Sequence, residues 1–112
     1  MTTTPSVPPT NRRLSPRVAL RVPATVHLAG GQTRDVQVWD LAVDGASVLS
    51  PRPIAQGSSA ELHVVLPGRS DAVVAPARVV YSSYQGPGQF RVGLTFQHLP
   101  AEAADAIAAF CA

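Results

Sequence analysis

The stretch Trp39-Asp40-Leu41-Ala42-Val43-Asp44-Gly45 decides how the rest of this sequence is interpreted. Alternating apolar and polar residues run into it from Gln32, and a second apolar run, residues 46–49, leaves it. This arrangement predicts two strands joined by a turn, with Asp40 where the first strand ends and Gly45 letting the backbone turn back. Strand ends and turns are where a rigid scaffold presents chemical groups, so Asp40 is a candidate site residue.

Four further alternating runs flank this stretch. They cover residues 17–29, 59–66, 72–84 and 89–97, separated by turns rich in glycine, proline and serine. Pro23 predicts an edge or a bulge in the first run, and Pro76 predicts a break in the third. An alanine-rich segment after Pro100 predicts a helix over residues 101–112. The expected fold is therefore all-β with a terminal helix: a small six-stranded antiparallel β-barrel with a C-terminal α-helix on one side.

Length and composition indicate one domain behind a short tail. The chain has 112 residues, of which 46% are hydrophobic, enough to form a core. Residues 1–10 are rich in threonine and proline and are expected to form a flexible N-terminal tail, which leaves residues 11–112 for the barrel domain. No apolar run approaches the ~20 residues that cross a membrane, and the N-terminus lacks a secretory-signal pattern. We therefore expect a cytoplasmic protein without membrane insertion.

The residues that usually carry catalysis or bind metals are sparse. His27, His63 and His98 are far apart in sequence without the spacing of metal ligands, and Cys111 is the single cysteine, so we expect neither a metal site nor a cofactor. No nucleophile elbow, phosphate loop or dinucleotide fingerprint is present, so an enzyme is not expected. The net charge of +2 is mild, but all nine cations are arginine, whose planar guanidinium suits phosphates and guanine edges.

Two short motifs occur in order along the chain. Arg13-Leu-Ser-Pro-Arg17 precedes the first alternating run, and Asp40-Leu-Ala-Val-Asp-Gly45 follows the second. Taken singly, the first is typical of a solvated basic loop and the second of an Asp-Gly turn. Together with the last strand, Arg91-Val-Gly-Leu-Thr-Phe96, and the helix after it, they resemble the RxxxR and D/N-x-S-x-x-G motifs of the PilZ domain family. The resemblance covers residues 11–112.

The resemblance implies a barrel that binds cyclic di-GMP, a bacterial second messenger, and passes its signal to an unidentified protein partner. Arg12, Arg13 and Arg17 would lie on an N-terminal segment that wraps the ligand and becomes ordered on binding, with the guanidinium groups contacting phosphates or guanine O6 and N7. Asp40 would accept hydrogen bonds from guanine N1 and N2, and Gly45 would let the backbone approach the ligand. Control of motility, adhesion or exopolysaccharide is the family's usual role.

Ala42 departs from the family pattern, which has serine at this position. A missing neutral hydrogen bond costs about 1 kcal/mol, or roughly five- to tenfold in affinity, so weakened binding is the favoured interpretation. The alternative is a degenerate PilZ adaptor that binds a protein but no nucleotide. A third hypothesis, non-specific binding of a nucleic-acid polymer, lacks aromatic platforms, because Trp39 is the one aromatic residue near the motifs. We therefore expect no nucleic-acid polymer as a partner.

Overall fold

The computed structural model describes residues 16–112, so the predicted tail over residues 1–10 lies outside the described residues. These described residues form seven strands and one helix: β1 Val18–Ala19, β2 Pro23–Leu28, β3 Thr33–Ala42, β4 Gly45–Ser50, β5 Ser59–Val64, β6 Val73–Gly86, β7 Gln89–Phe96 and α1 Ala101–Cys111. Within the described residues no helix has the length and apolar character needed to cross a membrane.

Six of these strands form a closed barrel. The antiparallel order is β3-β2-β5-β6-β7-β4, and β4 pairs back with β3 to close the ring. The two-residue strand β1 pairs with the C-terminal end of β3. The predicted six-stranded antiparallel barrel with a C-terminal helix is confirmed.

The barrel interior is filled by the inward-facing residues of the alternating runs. Val26, Val48, Leu62 and Val92 have no exposed surface. The helix packs against β3 and β6 and adds Ile107 to the same core. Burial of this apolar surface is the main driving force for the fold, at about 25 cal/mol for each Å² removed from water.

Cys111 fastens the end of the helix to the sheet. Its thiol donates a long hydrogen bond to the Leu41 carbonyl, with 3.6 Å between sulfur and oxygen. Partial burial, and secondarily the negative charge of Asp44, raise the pKa of the Cys111 thiol above its usual value. The cysteine is therefore a protonated packing residue, as expected for a small apolar side chain in a helix.

The first alternating run predicts one strand, but the structure divides it into β1 and β2. Three residues, Leu20 to Val22, lie opposite only Val38 and Trp39 of β3, so the ladder is irregular there. The first and last of these three residues still form hydrogen bonds with β3. The Leu20 N–H donates to the Trp39 carbonyl, and the Val38 N–H donates to the Val22 carbonyl. Pro23 is the first residue of β2, a position where proline costs no ladder hydrogen bond.

The break predicted at Pro76 is wrong, because β6 continues through it from Val73 to Gly86. The Pro76 carbonyl accepts a hydrogen bond from the Gln97 N–H, just beyond the end of β7. The missing N–H of Pro76 would point to the same side, past the last β6–β7 pair, Ala77 with Phe96. Proline is tolerated here because the ladder on that side has already ended.

The prediction that Gly45 turns the chain is wrong, whereas its approach to a ligand stays a prediction. The turn lies at Val43 and Asp44, and Gly45 is the first residue of β4 without a left-handed φ. A Cβ atom on Gly45 would overlap the carbonyl oxygen of Leu94 on β7. Glycine is therefore required for the close approach of β4 to β7.

This contact predicts a large loss of stability for Gly45→Ala. The added methyl group meets backbone that cannot move without opening the β4–β7 ladder, so the free energy of unfolding should fall by about 3 kcal/mol. Gly93→Ala is the matched control, because the atoms that its Cβ would meet belong to the movable, partly exposed side chain of Tyr81. Urea unfolding of both variants measures the difference, and equal losses would contradict the backbone-contact role of Gly45.

Candidate functional site

Trp39 is an extra residue in β3. Because of it, the consecutive side chains of Trp39 and Asp40 both lie outside the core. The β3–β4 register shifts between Val38 and Asp40, which marks a β-bulge at Trp39. Val38 and Leu41 are buried in the core, while Trp39 and Asp40 between them are half-buried. A regular strand would direct only one of these two side chains outward.

Four residues form a transverse row on the outer face of the barrel. Asp40 on β3 lies opposite Ser47 on β4, Ser47 lies opposite Gly93 on β7, and Gly93 lies opposite Tyr81 on β6. Directly opposed residues share one face of a sheet, so these positions are neighbours. A Cβ on Gly93 would overlap the Tyr81 ring, which means that the ring leans over the glycine.

The Asp40 carboxylate is held between two guanidinium groups. Arg17 Nη1 lies 3.1 Å from Asp40 Oδ1, and Arg91 Nη2 lies 3.2 Å from Asp40 Oδ2. The same Arg91 nitrogen also donates to Ser47 Oγ at 3.2 Å. These contacts link the residue before β1 to strands β3, β4 and β7. About a third of each arginine side chain is exposed, so both cations can also face a ligand.

A third arginine stacks on Trp39. The guanidinium carbon of Arg21 lies 3.6 Å from the centre of the indole ring, and its Nε donates to the Trp39 carbonyl at 3.2 Å. The guanidinium carbon of Arg91 lies 5.6 Å from the same ring. Both distances are within the range of cation–π attraction. Among the described residues the cluster thus combines three guanidinium groups with one carboxylate, that of Asp40, and their summed charge is positive.

An open pocket of about 370 Å³ lies within this cluster. Its lining residues are Arg17, Asp40, Ser47, Tyr81 and Arg91. Ligand pockets in proteins typically measure about 300–1,000 Å³, so a small anionic molecule fits at least in part. Cations for phosphate, a carboxylate acceptor, a hydroxyl group and an aromatic ring all converge here.

The PilZ domain family model matches residues 11–112. The chain belongs to this family. Solved structures share the fold: MotI/DgrA, the inhibitor of motility of Bacillus subtilis, superposes with a TM-score of 0.73 at 15% sequence identity over 89% of this chain and 49% of its own. This chain therefore spans about half the length of MotI/DgrA. No curated protein matches the sequence.

Two further structures of similar fold contain cyclic di-GMP. The PilZ domain of Escherichia coli YcgR with this ligand has a TM-score of 0.68 at 16% identity, over 89% of this chain and 88% of that one. PlzA of Borreliella burgdorferi, in complex with the same ligand, has a TM-score of 0.66 at 16% identity, over 92% of this chain and 42% of that one. At these identities the likeness shows the fold.

Among the predicted site residues of this PilZ domain, Arg17 and Asp40 meet in the pocket. Ala42, at the end of β3, is fully buried and does not line the pocket. Gly45 lies against β7, as described above. Arg12 and Arg13 lie outside the described residues.

Sequence reasoning missed three of the residues that line the Asp40 pocket, namely Ser47, Tyr81 and Arg91. Arg91 left a signal, because it is the one charged residue in an otherwise uncharged last strand and alternates with the buried Val92. Ser47 and Tyr81 left none that periodicity could reveal. Their proximity to Asp40 depends on cross-strand register, which β-bulges determine and a single sequence does not show.

The histidines are less isolated than their sequence spacing suggested. The rings of His27 and His63 stack with centroids 3.7 Å apart, and His27 and His98 line a separate pocket of about 430 Å³. Within residues 16–112 no group of three or more histidine, cysteine or acidic side chains could hold a metal ion. This second pocket is larger but is lined by no arginine, so it offers an anionic ligand less than the Asp40 pocket.

The paired guanidinium groups predict that Asp40 also contributes to stability. In Asp40→Ala the cations of Arg17 and Arg91 lose their shared carboxylate, and the free energy of unfolding should fall by about 1–2 kcal/mol at low salt. Asp35→Ala is the control, because Asp35 is exposed on the same strand and forms no ion pair within residues 16–112. Urea titrations at low salt and at 1 M NaCl should show the difference shrinking as screening increases. Equal losses for both variants would contradict this role.

Proposed function

We propose that this PilZ domain binds cyclic di-GMP in the pocket around Asp40 and passes the signal to a protein partner. The observation that supports the proposal is one carboxylate, Asp40, between the two cations Arg17 and Arg91 in an open pocket. The ligand offers complementary groups, namely two phosphates and the donor edges of two guanines. The YcgR and PlzA structures, which contain this ligand in proteins of the same fold, support the choice of ligand.

Binding in this pocket is an exchange of partners. In the free protein both Asp40 oxygens already accept hydrogen bonds from arginines. A guanine presents N1–H and N2–H side by side, which matches the two oxygens of a carboxylate. The guanidinium groups released from Asp40 then pair with phosphate oxygens, so that every charged group keeps a partner. The affinity therefore depends on the free energy of the contacts with the ligand minus that of the ion pairs they replace.

A PilZ adaptor that binds a protein but no nucleotide is the second candidate. Two observations favour it: Ala42 replaces the serine of the family motif, and the free site already satisfies both oxygens of Asp40 internally. The exposed fractions of Arg17 and Arg91 favour the ligand-binding proposal instead, since a purely structural ion pair needs no open pocket.

Calorimetric titration at moderate salt separates these candidates. The wild-type protein should bind cyclic di-GMP saturably and ignore GTP, and the affinity should show only a modest dependence on salt. Binding of any RNA or DNA oligonucleotide that weakens steeply with salt would favour the nucleic-acid hypothesis instead. A flat trace with cyclic di-GMP at high protein concentration would overturn the proposed function and favour the nucleotide-free adaptor.

Arginine variants locate the site. Arg17→Ala and Arg91→Ala should each weaken binding of cyclic di-GMP by about ten- to a hundredfold, because each removes a charge-assisted hydrogen bond. The resemblance to the family motif predicts a similar loss for Arg13→Ala. Arg69→Ala, which removes an equal charge from a turn that does not line the pocket, is the matched control and should bind as the wild type does. Unchanged binding by Arg17→Ala and Arg91→Ala would contradict the assignment of this pocket.

A further inference from the structure

We infer that Ser47 supplies the hydroxyl group that this site has lost at Ala42, holding Arg91 in place and donating its own hydrogen to an oxygen of bound cyclic di-GMP. The inference rests on the proposed function and adds a residue outside both sequence motifs. It turns the departure at Ala42 from a defect into a relocation of one hydrogen-bonding group by five residues.

Ser47 lies at the centre of the site. It is directly opposite Asp40 on one side and Gly93 on the other, and only 3% of its surface is exposed. Its Oγ accepts a hydrogen bond from Arg91 Nη2, the same nitrogen that donates to Asp40 Oδ2, both at 3.2 Å. When Asp40 turns to a guanine, the bond to Ser47 remains and keeps Arg91 at the pocket.

The hydroxyl of Ser47 retains an unused donor. A serine hydroxyl offers one hydrogen and two acceptor positions, and the contact with Arg91 uses an acceptor position. Within residues 16–112 no acceptor takes the hydrogen of Ser47. A nearly buried donor without a partner is costly, so a ligand oxygen placed over it gains a hydrogen bond that the free protein lacks.

The pocket leaves room for a ligand above Ser47. The space beside Gly93, its neighbour on β7, is taken by the Tyr81 ring, which lines the pocket on that side. Asp40 and Arg91 also line the pocket. A ligand group in this pocket is therefore expected to come close to the Ser47 hydroxyl.

Residue 42 has no comparable position. Ala42 is the last residue of β3, pairs with Gly45 next to the turn, and has no exposed surface. It does not line the pocket that Ser47 shares with Asp40 and Arg91. In this chain the serine hydroxyl in the Asp40 pocket therefore comes from β4 and not from the motif.

Binding of cyclic di-GMP by Ser47 variants tests the inference, with the fluorescence of Trp39, the single tryptophan, as a second readout beside calorimetry. Ser47→Ala should weaken binding by about tenfold, the effect of one hydrogen bond involving a charged group. Ser47→Thr keeps the hydroxyl on a side chain suited to a strand, and should bind more tightly than Ser47→Ala.

Ser50→Ala is the matched control. Ser50 is an equally buried serine of the same strand, but its hydroxyl donates to the Arg52 carbonyl at 2.6 Å and does not line the pocket. Its loss should lower stability and leave the affinity for cyclic di-GMP unchanged. A purely structural role of Ser47 would make the two alanine variants alike in affinity, which would overturn the inference.

Ala42→Ser gives the opposing arm of the test. If Ser47 supplies the hydroxyl, Ala42→Ser should change the affinity by less than about threefold. Tightening by about five- to tenfold in Ala42→Ser, together with unchanged binding by Ser47→Ala, would overturn the inference while leaving the proposed function intact. A wild-type protein that does not bind the ligand at all would overturn both, and is recognised before any variant is compared.

Discussion

The Asp40 carboxylate, shared between Arg17 and Arg91, is the interaction on which the site depends. It joins the segment before β1 to β3 and β7, three parts of the chain that are far apart in sequence. Because one nitrogen of Arg91 also bonds to Ser47, the same contact fixes the geometry of the strand between them. The shape of the pocket therefore depends on the ion pairs and hydrogen bonds among these few side chains.

Both oxygens of Asp40 are already paired with arginines in this structure, and this shapes how the site can respond to a ligand. A carboxylate facing two cations is stable without any ligand, so a ligand must supply both an anion for the arginines and donors for Asp40 to displace the existing contacts. A molecule with phosphate alone competes only for the arginines and leaves Asp40 unpaired. This double requirement is the physical reason for proposing a guanine-containing cyclic dinucleotide, and not a simple phosphate, as the ligand.

Much of the fold can be predicted from the sequence because the core obeys simple alternation. Val26, Leu62 and Val92 lie in the barrel interior as their runs indicate, and the helix begins after Pro100. Pro76 misleads because the cost of a proline depends on where the neighbouring strand ends, which is a property of the ladder and not of the residue. The turn predicted at Gly45 is wrong because glycine is required there for a different reason, the close contact with the backbone of the neighbouring strand.

The site can be predicted only in part, because several of its residues come together through contacts between strands. Arg17 and Asp40 stand in motifs whose order along the chain points to their partnership, whereas Ser47 and Tyr81 reach Asp40 through register. That register is shifted by bulges at Trp39 in β3 and at Val80 in β6, where the alternation of side chains is interrupted. The role of Gly93 can be recognised only once the row across the four strands is known. Its missing side chain makes room for the Tyr81 ring.

The most direct test is a crystal structure of the protein with cyclic di-GMP. The partner exchange predicts a guanine edge on the Asp40 carboxylate, phosphate oxygens on Arg17 and Arg91, and Asp40 no longer bonded to both arginines. A ligand bound elsewhere, such as in the pocket lined by His27 and His98, with the two Asp40 ion pairs intact, would contradict the central role of this carboxylate.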